Sequence, residues 1–281
     1  MSSPRSIRDA ITVDEIGIET GHYGPFLLKT VYQPIFETGQ DGLAPIGVEG
    51  LIKPFVEGKS VPALDFFAQV PPEDGFFVEN MCRALHLRNY RNIGVEGLQL
   101  FFNYDPRAHT DLESALGQIR YMASRLEYLE IDPADLVCEI TEVEAVNSEM
   151  LVEIAAEMRR HGVRLAVDDF GTGHSTLQRM DLIEADIVKI DGPWFRQIAT
   201  MAAARRLLEA LVRALQRSGR QVLIEGIETP DQLKAALDTG ADLLQGFLLG
   251  RPALAGTIFD TNALDPDDFF YRGDNVIRLF R

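Results

Sequence analysis

Residues 165–173 read Leu165-Ala166-Val167-Asp168-Asp169-Phe170-Gly171-Thr172-Gly173. In this segment an apolar run ends in two adjacent carboxylates, and a glycine-bounded turn follows at once. The pattern is typical of a buried strand whose last residues leave the core and enter a site. Neighbouring carboxylates repel each other, and a divalent cation between them relieves the repulsion. For this segment alone a surface turn is the alternative, because Asp and Gly are common turn formers.

Apolar, strand-like runs recur along the chain and are mostly separated by helical segments. The clearest helix begins at Thr229-Pro230 with capping signals and is closed by Gly240. The predicted strands are Val31–Glu37, Ile46–Lys53, Leu98–Tyr104, Leu136–Glu142, Arg164–Phe170, Ile187–Asp191, Gln221–Glu228 and Leu243–Leu249. Eight strands alternating with helices predict an α/β fold, a (β/α)8 TIM-like barrel.

One connection breaks this alternation. Only residues 38–45 separate the first two predicted strands, whereas a parallel crossover needs about a dozen residues or more. The first strand should therefore form a hairpin with the second and run antiparallel in the barrel. The expected organisation is a helical N-terminal lead-in over residues 1–30, a barrel domain over 31–255, and a C-terminal tail over 256–281 that packs on the barrel.

Composition narrows the choice of environment. Of the 281 residues, 46% are hydrophobic, which is enough for a sizeable core. No apolar run reaches the ~18 residues that span a bilayer, so we expect no membrane partner. Residues 1–10 lack the apolar core of a signal peptide. Two cysteines, Cys82 and Cys138, lie in separate apolar segments and indicate reduced thiols and a cytoplasmic location.

The net charge of −16 bears on the kind of ligand. Binding duplex nucleic acid through its phosphates needs basic patches, so we expect no such partner. A small phosphorylated ligand is compatible with an acidic chain, because a bound metal can supply local positive charge.

Most predicted strands end in polar residues that a core would not select. Side chains alternate across a barrel wall, and chemistry collects at the carboxyl ends of the strands. A ring of polar side chains at these strand ends is hard to bury unless a group at its centre forms hydrogen bonds or ion pairs with them. Abundant oxygen ligands without a His or Cys cluster predict a site for hard divalent cations. The ring consists of Glu49, Asn103, Glu139, Glu142, Asp168, Asp169, Lys189, Glu225, Glu228 and Gln245.

Lys189 is the only lysine in this ring. Three roles are open to it from the residues alone: a phosphate contact, a holder of the attacking water, or a salt-bridge partner.

Ordered short motifs carry a resemblance to a known family. Residues 31–252 resemble the EAL-domain phosphodiesterases, which linearise the bacterial second messenger cyclic di-GMP. The family's barrel also has an antiparallel first strand. The motifs are Tyr32-Gln33-Pro34-Ile35, Glu49-Gly50-Leu51, Asn103, Glu139-Ile140-Thr141-Glu142, residues 168–173, Val188-Lys189-Ile190-Asp191, Glu225-Gly226-Ile227-Glu228, Gln245-Gly246-Phe247 and Gly250-Arg251-Pro252.

The resemblance implies a role for each matching residue. Two divalent ions, Mg or Mn, would activate water, and Lys189 would position it. Glu142 would brace the loop after Asp169, which would also help form a homodimer. Catalytic roles fall to Lys189, Glu225, Glu49 and Asp168. Metal ligands are Glu49, Asn103, Glu139, Asp168, Asp169 and Glu225, with Asp168 bridging the ions. The cyclic di-GMP contacts are Gln33, Leu51, Lys53 and Gln245.

Several positions depart from the family pattern, among them Asp105, where a small polar residue is usual, and His174, where Tyr is common. The signature alanine is Gly50, and the usual arginine four residues after Glu49 is Lys53. The implied reaction is hydrolysis of cyclic di-GMP to linear pGpG. The alternatives are a non-catalytic cyclic di-GMP receptor that signals through a protein partner, and a degenerate barrel that only binds other proteins.

Overall fold

The computed structural model describes residues 6–109, 111–140, 148–171 and 177–271. Its strands are β1 Ile11–Val13, β2 Glu19–Tyr23, β3 Phe26–Gly39, β4 Gly42–Val56, β5 Lys59–Ser60, β6 Gln99–Tyr104, β7 Leu136–Ile140, β8 Arg164–Phe170, β9 Ile187–Ile190, β10 Gln221–Ile224, β11 Leu243–Leu244 and β12 Ala253–Leu254. Its α-helices are α1 Ala63–Phe67, α2 Gly75–Tyr90, α3 Leu112–Leu126, α4 Ser148–Arg160, α5 Leu177–Leu182, α6 Gly192–Ala199, α7 Ala202–Arg217, α8 Pro230–Thr239 and α9 Asp267–Tyr271.

Eight of these strands close into a barrel in the order β3-β11-β10-β9-β8-β7-β6-β4, with β4 returning to β3. β3 runs antiparallel to β4 and to β11, whereas β4 and β6 to β11 pair in parallel. The hairpin turn follows Gly39, which pairs with Gly42. The predicted barrel with an antiparallel first strand is confirmed.

The lower barrel interior is filled by one apolar residue from most strands. They form a separate buried cluster: Ile35, Phe101, Val137, Ala166, Ile187, Leu223 and Leu243. Because side chains alternate along a strand, the residue two positions further toward the carboxyl end faces the interior again. This spacing puts the polar ring directly above the apolar cluster.

The helices pack against the outer face of the barrel, and the main core lies between these two layers. In α8 the Thr229 side chain accepts a hydrogen bond from the backbone N–H of Gln232, and Gln232 Oε1 accepts one from the Thr229 N–H. Gly240 ends the helix with φ 74°, a left-handed conformation that glycine adopts without steric cost. These are the start and end predicted from the sequence.

The predicted helical lead-in over residues 1–30 is wrong for the described part of that segment. β1 and β2 form a hairpin, and β2 continues along β3. Gly24 has φ 54° and begins the two-residue connection to β3, which suits a hairpin turn with positive φ at its first central residue. Together with α1 and α2, these strands enclose a second, smaller core that contains Leu28, Phe66 and Met81.

The described part of the C-terminal tail lies against the barrel. Leu264 exchanges backbone hydrogen bonds with Leu43, both of 2.9 Å, and Phe269 is buried in the main core. Within the described residues, no helix has the length and apolar character needed to cross a bilayer.

Candidate functional site

The polar ring lies at the carboxyl end of the parallel strands. On three strands an apolar residue and a polar residue two positions later share one strand face: Phe101 and Asn103, Val137 and Glu139, and Ile187 and Lys189. The same spacing applies to Ala166 and Asp168, Leu223 and Glu225, Leu243 and Gln245. β3 runs the other way, so Gln33 precedes Ile35 instead of following it.

Four carboxylates converge on the Lys189 ammonium. Lys189 Nζ lies 2.6 Å from Glu139 Oε1 and 2.7 Å from Glu225 Oε1. It lies 3.2 Å from Asp168 Oδ1 and 3.6 Å from Glu49 Oε1. Lys189 is 1% exposed and Glu139 is fully buried. The structure therefore shows Lys189 as an ion-pair partner of four acids at once.

Burial controls the titration of this cluster. It raises the pKa of Glu139 well above the ordinary value, although the Lys189 charge acts in the opposite direction. Burial also raises the pKa of Glu225 to about 8. For Lys189, burial lowers the pKa, but the carboxylates, Asp168 first, outweigh it and hold the pKa well above its usual range. The buried acids therefore hold protons more tightly than exposed carboxylates do, whereas Lys189 keeps its charge.

A strand irregularity presents two consecutive carboxylates. The β8–β9 pairing breaks between Val167 and Phe170, so that Asp168 and Asp169 lie opposite Lys189. Asp169 has φ 57°, a left-handed conformation that Asp tolerates better than most residues. A bulge of this kind re-aims side chains next to a site. Asp168 is half-buried and Asp169 is exposed.

The donor set fits divalent cations. Neither carboxylate oxygen of Glu139 has a hydrogen-bond partner, and its charge is compensated through the ion pair with Lys189. A buried carboxylate without such a partner is costly, and a cation with oxygen ligands would satisfy it. No three acidic, His or Cys side chains among the described residues form a ready-made metal cage, since the carboxylates close on Nζ. Ion entry would therefore require the ammonium to move aside.

The remaining predicted ligand and two predicted substrate contacts border this cluster. Asn103 is exposed at the barrel mouth and pairs with Glu139 in the β6–β7 register. Gln245 Nε2 donates to Glu49 Oε2 at 2.9 Å, and Gln33 Nε2 donates to the Gly250 carbonyl at 3.2 Å. A cavity of about 220 Å³ opens beside Gln33, Glu49 and Gln245.

Leu51 and Lys53 lie further out on β4. Residues 49, 51 and 53 share one strand face, and β3 provides their partners Gln33, Val31 and Lys29. Lys53 is half-buried, and its Nζ lies 6.0 Å from the Phe55 ring centroid. Lys53 is thus on the face of the strand that also carries Glu49, outside the carboxylate cluster.

Gly50 has a local structural explanation. A Cβ at this position would lie 3.0 Å from Cγ and 3.1 Å from Cβ of His86. His86 is buried in α2, and its Nδ1 lies 3.2 Å from Thr30 Oγ1. The missing methyl group of the signature alanine therefore makes room for the His86 imidazole.

Several residues that line the cavity had no predicted role. Asp191 caps α6 by accepting a hydrogen bond from the Trp194 N–H at 2.7 Å. Arg196 donates to the Gly226 carbonyl at 3.2 Å, and Phe247 is covered by the Arg251 guanidinium at 4.8 Å. Asp191, Phe247 and Arg251 stood within quoted motifs. Arg196 gave no signal, because an arginine in an amphipathic helix is ordinarily a solvated residue.

Some predictions fall outside the described residues. They are the bracing role of Glu142 and most of the loop after Asp169, through which a homodimer was expected.

Comparisons with known proteins agree with this geometry. The family model of the EAL domain matches residues 27–252. A probable cyclic di-GMP phosphodiesterase of Escherichia coli, PdeA, is 33% identical over 123 residues, which cover 43% of this chain and 17% of that protein. The chain thus spans about a fifth of the length of the curated relatives that it matches.

Solved structures share the fold. The Bacillus subtilis YkuI protein, with an EAL domain and in complex with substrate cyclic di-GMP and calcium, is 25% identical. It aligns with a TM-score of 0.73 over 87% of this chain and 60% of that chain. A manganese and cyclic di-GMP complex of Klebsiella pneumoniae BlrP1 is 23% identical, with a TM-score of 0.72 over 90% of this chain and 63% of that chain.

Proposed function

The chain belongs to the EAL domain family, and we propose that it hydrolyses cyclic di-GMP to linear pGpG in a reaction that depends on two divalent ions, Mg or Mn. The observation that carries this proposal is the cluster of four carboxylates around Lys189. Oxygen ligands in this excess suit hard cations, and the neighbouring amides and lysines suit an anionic nucleotide.

The ligands divide into two sets in this proposal. Glu49, Asn103, Glu139 and Asp168 would hold one ion. Asp168 would also contribute to holding the second ion, together with Asp169 and Glu225. The β8–β9 bulge supports this division, because it brings two consecutive carboxylates to one position of the barrel mouth. When bound, the ions neutralise the phosphodiester and lower the pKa of the attacking water.

The other site residues bind the substrate and orient the water. Lys189 lies among the proposed ligands, so an ammonium displaced by the ions would stay close enough to hold a water in line with the phosphorus. The attacking water loses a proton as its oxygen forms the new bond to phosphorus, one P–O ester bond breaks, and the departing 3′ oxygen takes up a proton. Gln33, Leu51, Lys53 and Gln245 contact the nucleotide.

A turnover experiment tests the proposal. Purified protein is incubated with cyclic di-GMP and Mg²⁺ or Mn²⁺, and the products are separated by chromatography. Metal-dependent linear product, abolished in Asp168→Asn, is the expected result. Binding without turnover would instead identify a receptor, and absence of both would leave a protein-interaction domain.

Three further properties stay predictions: the homodimer through the loop after Asp169, the bracing role of Glu142, and the cytoplasmic location. Sedimentation of wild-type protein over a concentration series tests the dimer. A monomer at every concentration, with full activity, would contradict it.

A further inference from the structure

We propose that Lys29 and Lys53 together form one binding site for the substrate phosphodiester that is not cut; this inference rests on the proposed function. Lys29 has no part in the motifs described above. The site would use two ammonium groups from adjacent strands in place of the single guanidinium that the family usually has at position 53.

The strand register places the two lysines side by side. Lys29 pairs directly with Lys53 in the antiparallel β3–β4 ladder, so their side chains leave the same face of the sheet. Four pairs further along this ladder, on the same face of the sheet, Gln33 lies opposite Glu49. The face therefore runs from the carboxylate cluster, past Val31 and Leu51, to the two lysines.

The spacing suits a dinucleotide that has two phosphodiesters. Four residues separate Glu49 from Lys53, which corresponds to ~13 Å along a strand, and long lysine side chains can shorten this distance. One phosphodiester would lie at the carboxylate cluster and the other at the lysines. The apolar step between them, Val31 and Leu51, would lie under the ring of the ligand.

The lysine charges are unbalanced. Within the described residues, neither Lys29 nor Lys53 has a carboxylate within 4.0 Å, although the chain carries a net charge of −16. Like charges directly opposite each other on a sheet are destabilising. An anion bound between them would relieve that repulsion.

An aromatic ring orients the pair. Lys29 Nζ lies 5.6 Å and Lys53 Nζ 6.0 Å from the Phe55 ring centroid. Phe55 is two residues after Lys53 and shares its strand face. The ring gives both side chains an apolar surface for their stems and a weak attraction for their charges. Both ammonium groups therefore lie within 6.0 Å of the centroid of the same ring.

Two lysines can replace the arginine fork. A guanidinium offers two parallel N–H donors to a phosphate, whereas one ammonium acts as a single point charge. Lys53 alone lacks this planar fork, and Lys29 supplies a second charged donor group from the neighbouring strand. Lys29 should therefore contribute to ligand binding when residue 53 is Lys and become largely redundant when residue 53 is Arg.

Binding measurements with intact ligand test this inference. The Kd of cyclic di-GMP is measured by calorimetry in Ca²⁺, with chromatography confirming that the ligand stays intact. The variants are Lys29→Ala, Lys29→Gln, Lys53→Ala, Lys53→Arg and the combination of Lys29→Ala with Lys53→Arg. Lys59→Ala is the matched control, because Lys59 is an exposed lysine on β5, which pairs with β4.

We expect Lys29→Ala and Lys29→Gln to raise Kd about tenfold, Lys59→Ala less than twofold, and Lys29→Ala less than threefold when residue 53 is Arg. The inference is overturned if Lys29→Ala matches the wild type or Lys59→Ala. It is also overturned if Lys29→Ala costs the same with Lys or Arg at position 53. Failure of the wild type to bind would remove the proposed function as well, and this outcome is distinct because it does not depend on any substitution.

Discussion

Lys189 competes with metal ions for the same oxygen atoms. Its ammonium contacts four carboxylates and is almost fully buried. In water-poor surroundings such charges interact far more strongly than at the surface. The same side chain that would orient water must therefore also yield its place to an incoming ion, so its removal should separate metal binding from turnover.

We predict that Lys189→Met tightens Mn²⁺ binding by at least tenfold and abolishes turnover, because the variant keeps the acids and loses their competing cation. Glu139→Gln, which keeps size and removes charge, should weaken Mn²⁺ binding. Calorimetry and a turnover assay measure the two effects. Lys234→Met is the control, since Lys234 is an exposed residue that pairs with Asp238, at 3.3 Å. Weaker Mn²⁺ binding in Lys189→Met would show that the ammonium organises the ligands instead of competing.

Gly50 and His86 form a second residue-scale pair. We predict that Gly50→Ala lowers the free energy of unfolding by about 1 kcal/mol, because overpacking a core costs roughly 1–3 kcal/mol and loss of a glycine returns part of it. In a His86→Ala background the same change should cost less, since the clashing imidazole is gone. Urea unfolding of the wild type, Gly50→Ala, His86→Ala and the double variant measures this coupling. Equal costs in the two backgrounds would mean that His86 does not determine the residue at position 50.

At the scale of elements, α2 packs against β3 and β4 and encloses the smaller core that contains Leu28, Phe66 and Met81. His86 lies on its buried face, beside Thr30 and Gly50 and near the charge of Arg83. Burial, followed by the Arg83 charge, lowers the pKa of His86 to about 3. The folded state therefore keeps His86 neutral at pH values where the unfolded chain has already bound a proton.

We predict that this histidine makes the fold sensitive to acid. Its contribution to stability is complete above its unfolded pKa of roughly 6.5 and is lost as the pH falls toward its folded value. By pH 5 the loss amounts to about 2 kcal/mol. His86→Gln, which cannot titrate, should show a shallower decline in urea unfolding free energy between pH 7 and pH 5. Parallel curves for the two proteins would contradict the assignment.

The elements also show what the sequence could and could not predict. The barrel strands and the hairpin followed from apolar runs and one short connection. Adjacent leucines do not show from sequence alone which one is buried: α7 buries Leu208, Val212 and Leu215 and leaves Leu207 74% exposed. β1 and β2 were missed because short strands give little periodicity. The bulge at Asp168 and Asp169 was missed because regular alternation sends consecutive side chains to opposite faces.

The candidate site was predictable to a similar depth. The four carboxylates and Lys189 stood at strand ends, where topology alone brings them together. Lys29 fell within the segment predicted as a helical lead-in, and only its register with Lys53 in the structure places it beside a predicted substrate contact. Arg196 reaches the cavity through the way α6 docks on the barrel, which depends on contacts distant in sequence.

At the scale of the whole molecule, metal binding and folding should be linked. The ring draws its ligands from strands spread around the barrel, so an ion there binds the folded chain and not the unfolded one. We predict that Mn²⁺ at a hundredfold excess over its Kd stabilises the fold by about 2.7 kcal/mol, which raises Tm by roughly 5 °C.

The Tm effect should be reversed by EDTA and should fall to less than half in Asp168→Asn. Asp41→Asn is the control, because Asp41 is an exposed residue in the β3–β4 turn. An undiminished rise of Tm in Asp168→Asn would place the stabilising ion elsewhere on the molecule. Scanning calorimetry with and without Mn²⁺ provides both readings.

The position of the β3–β4 hairpin in the chain determines when its strands can pair during translation. The hairpin can form once residue 56 has left the ribosome, but the other edge of β3 meets β11 only after residue 244 and β12 only after residue 254. β2 covers that edge no further than Lys29. Throughout most of translation, the segment Val31–Glu37 therefore offers unpaired backbone groups to other nascent chains, as an exposed edge strand does. This exposure ends when β11, the last barrel strand, pairs with β3.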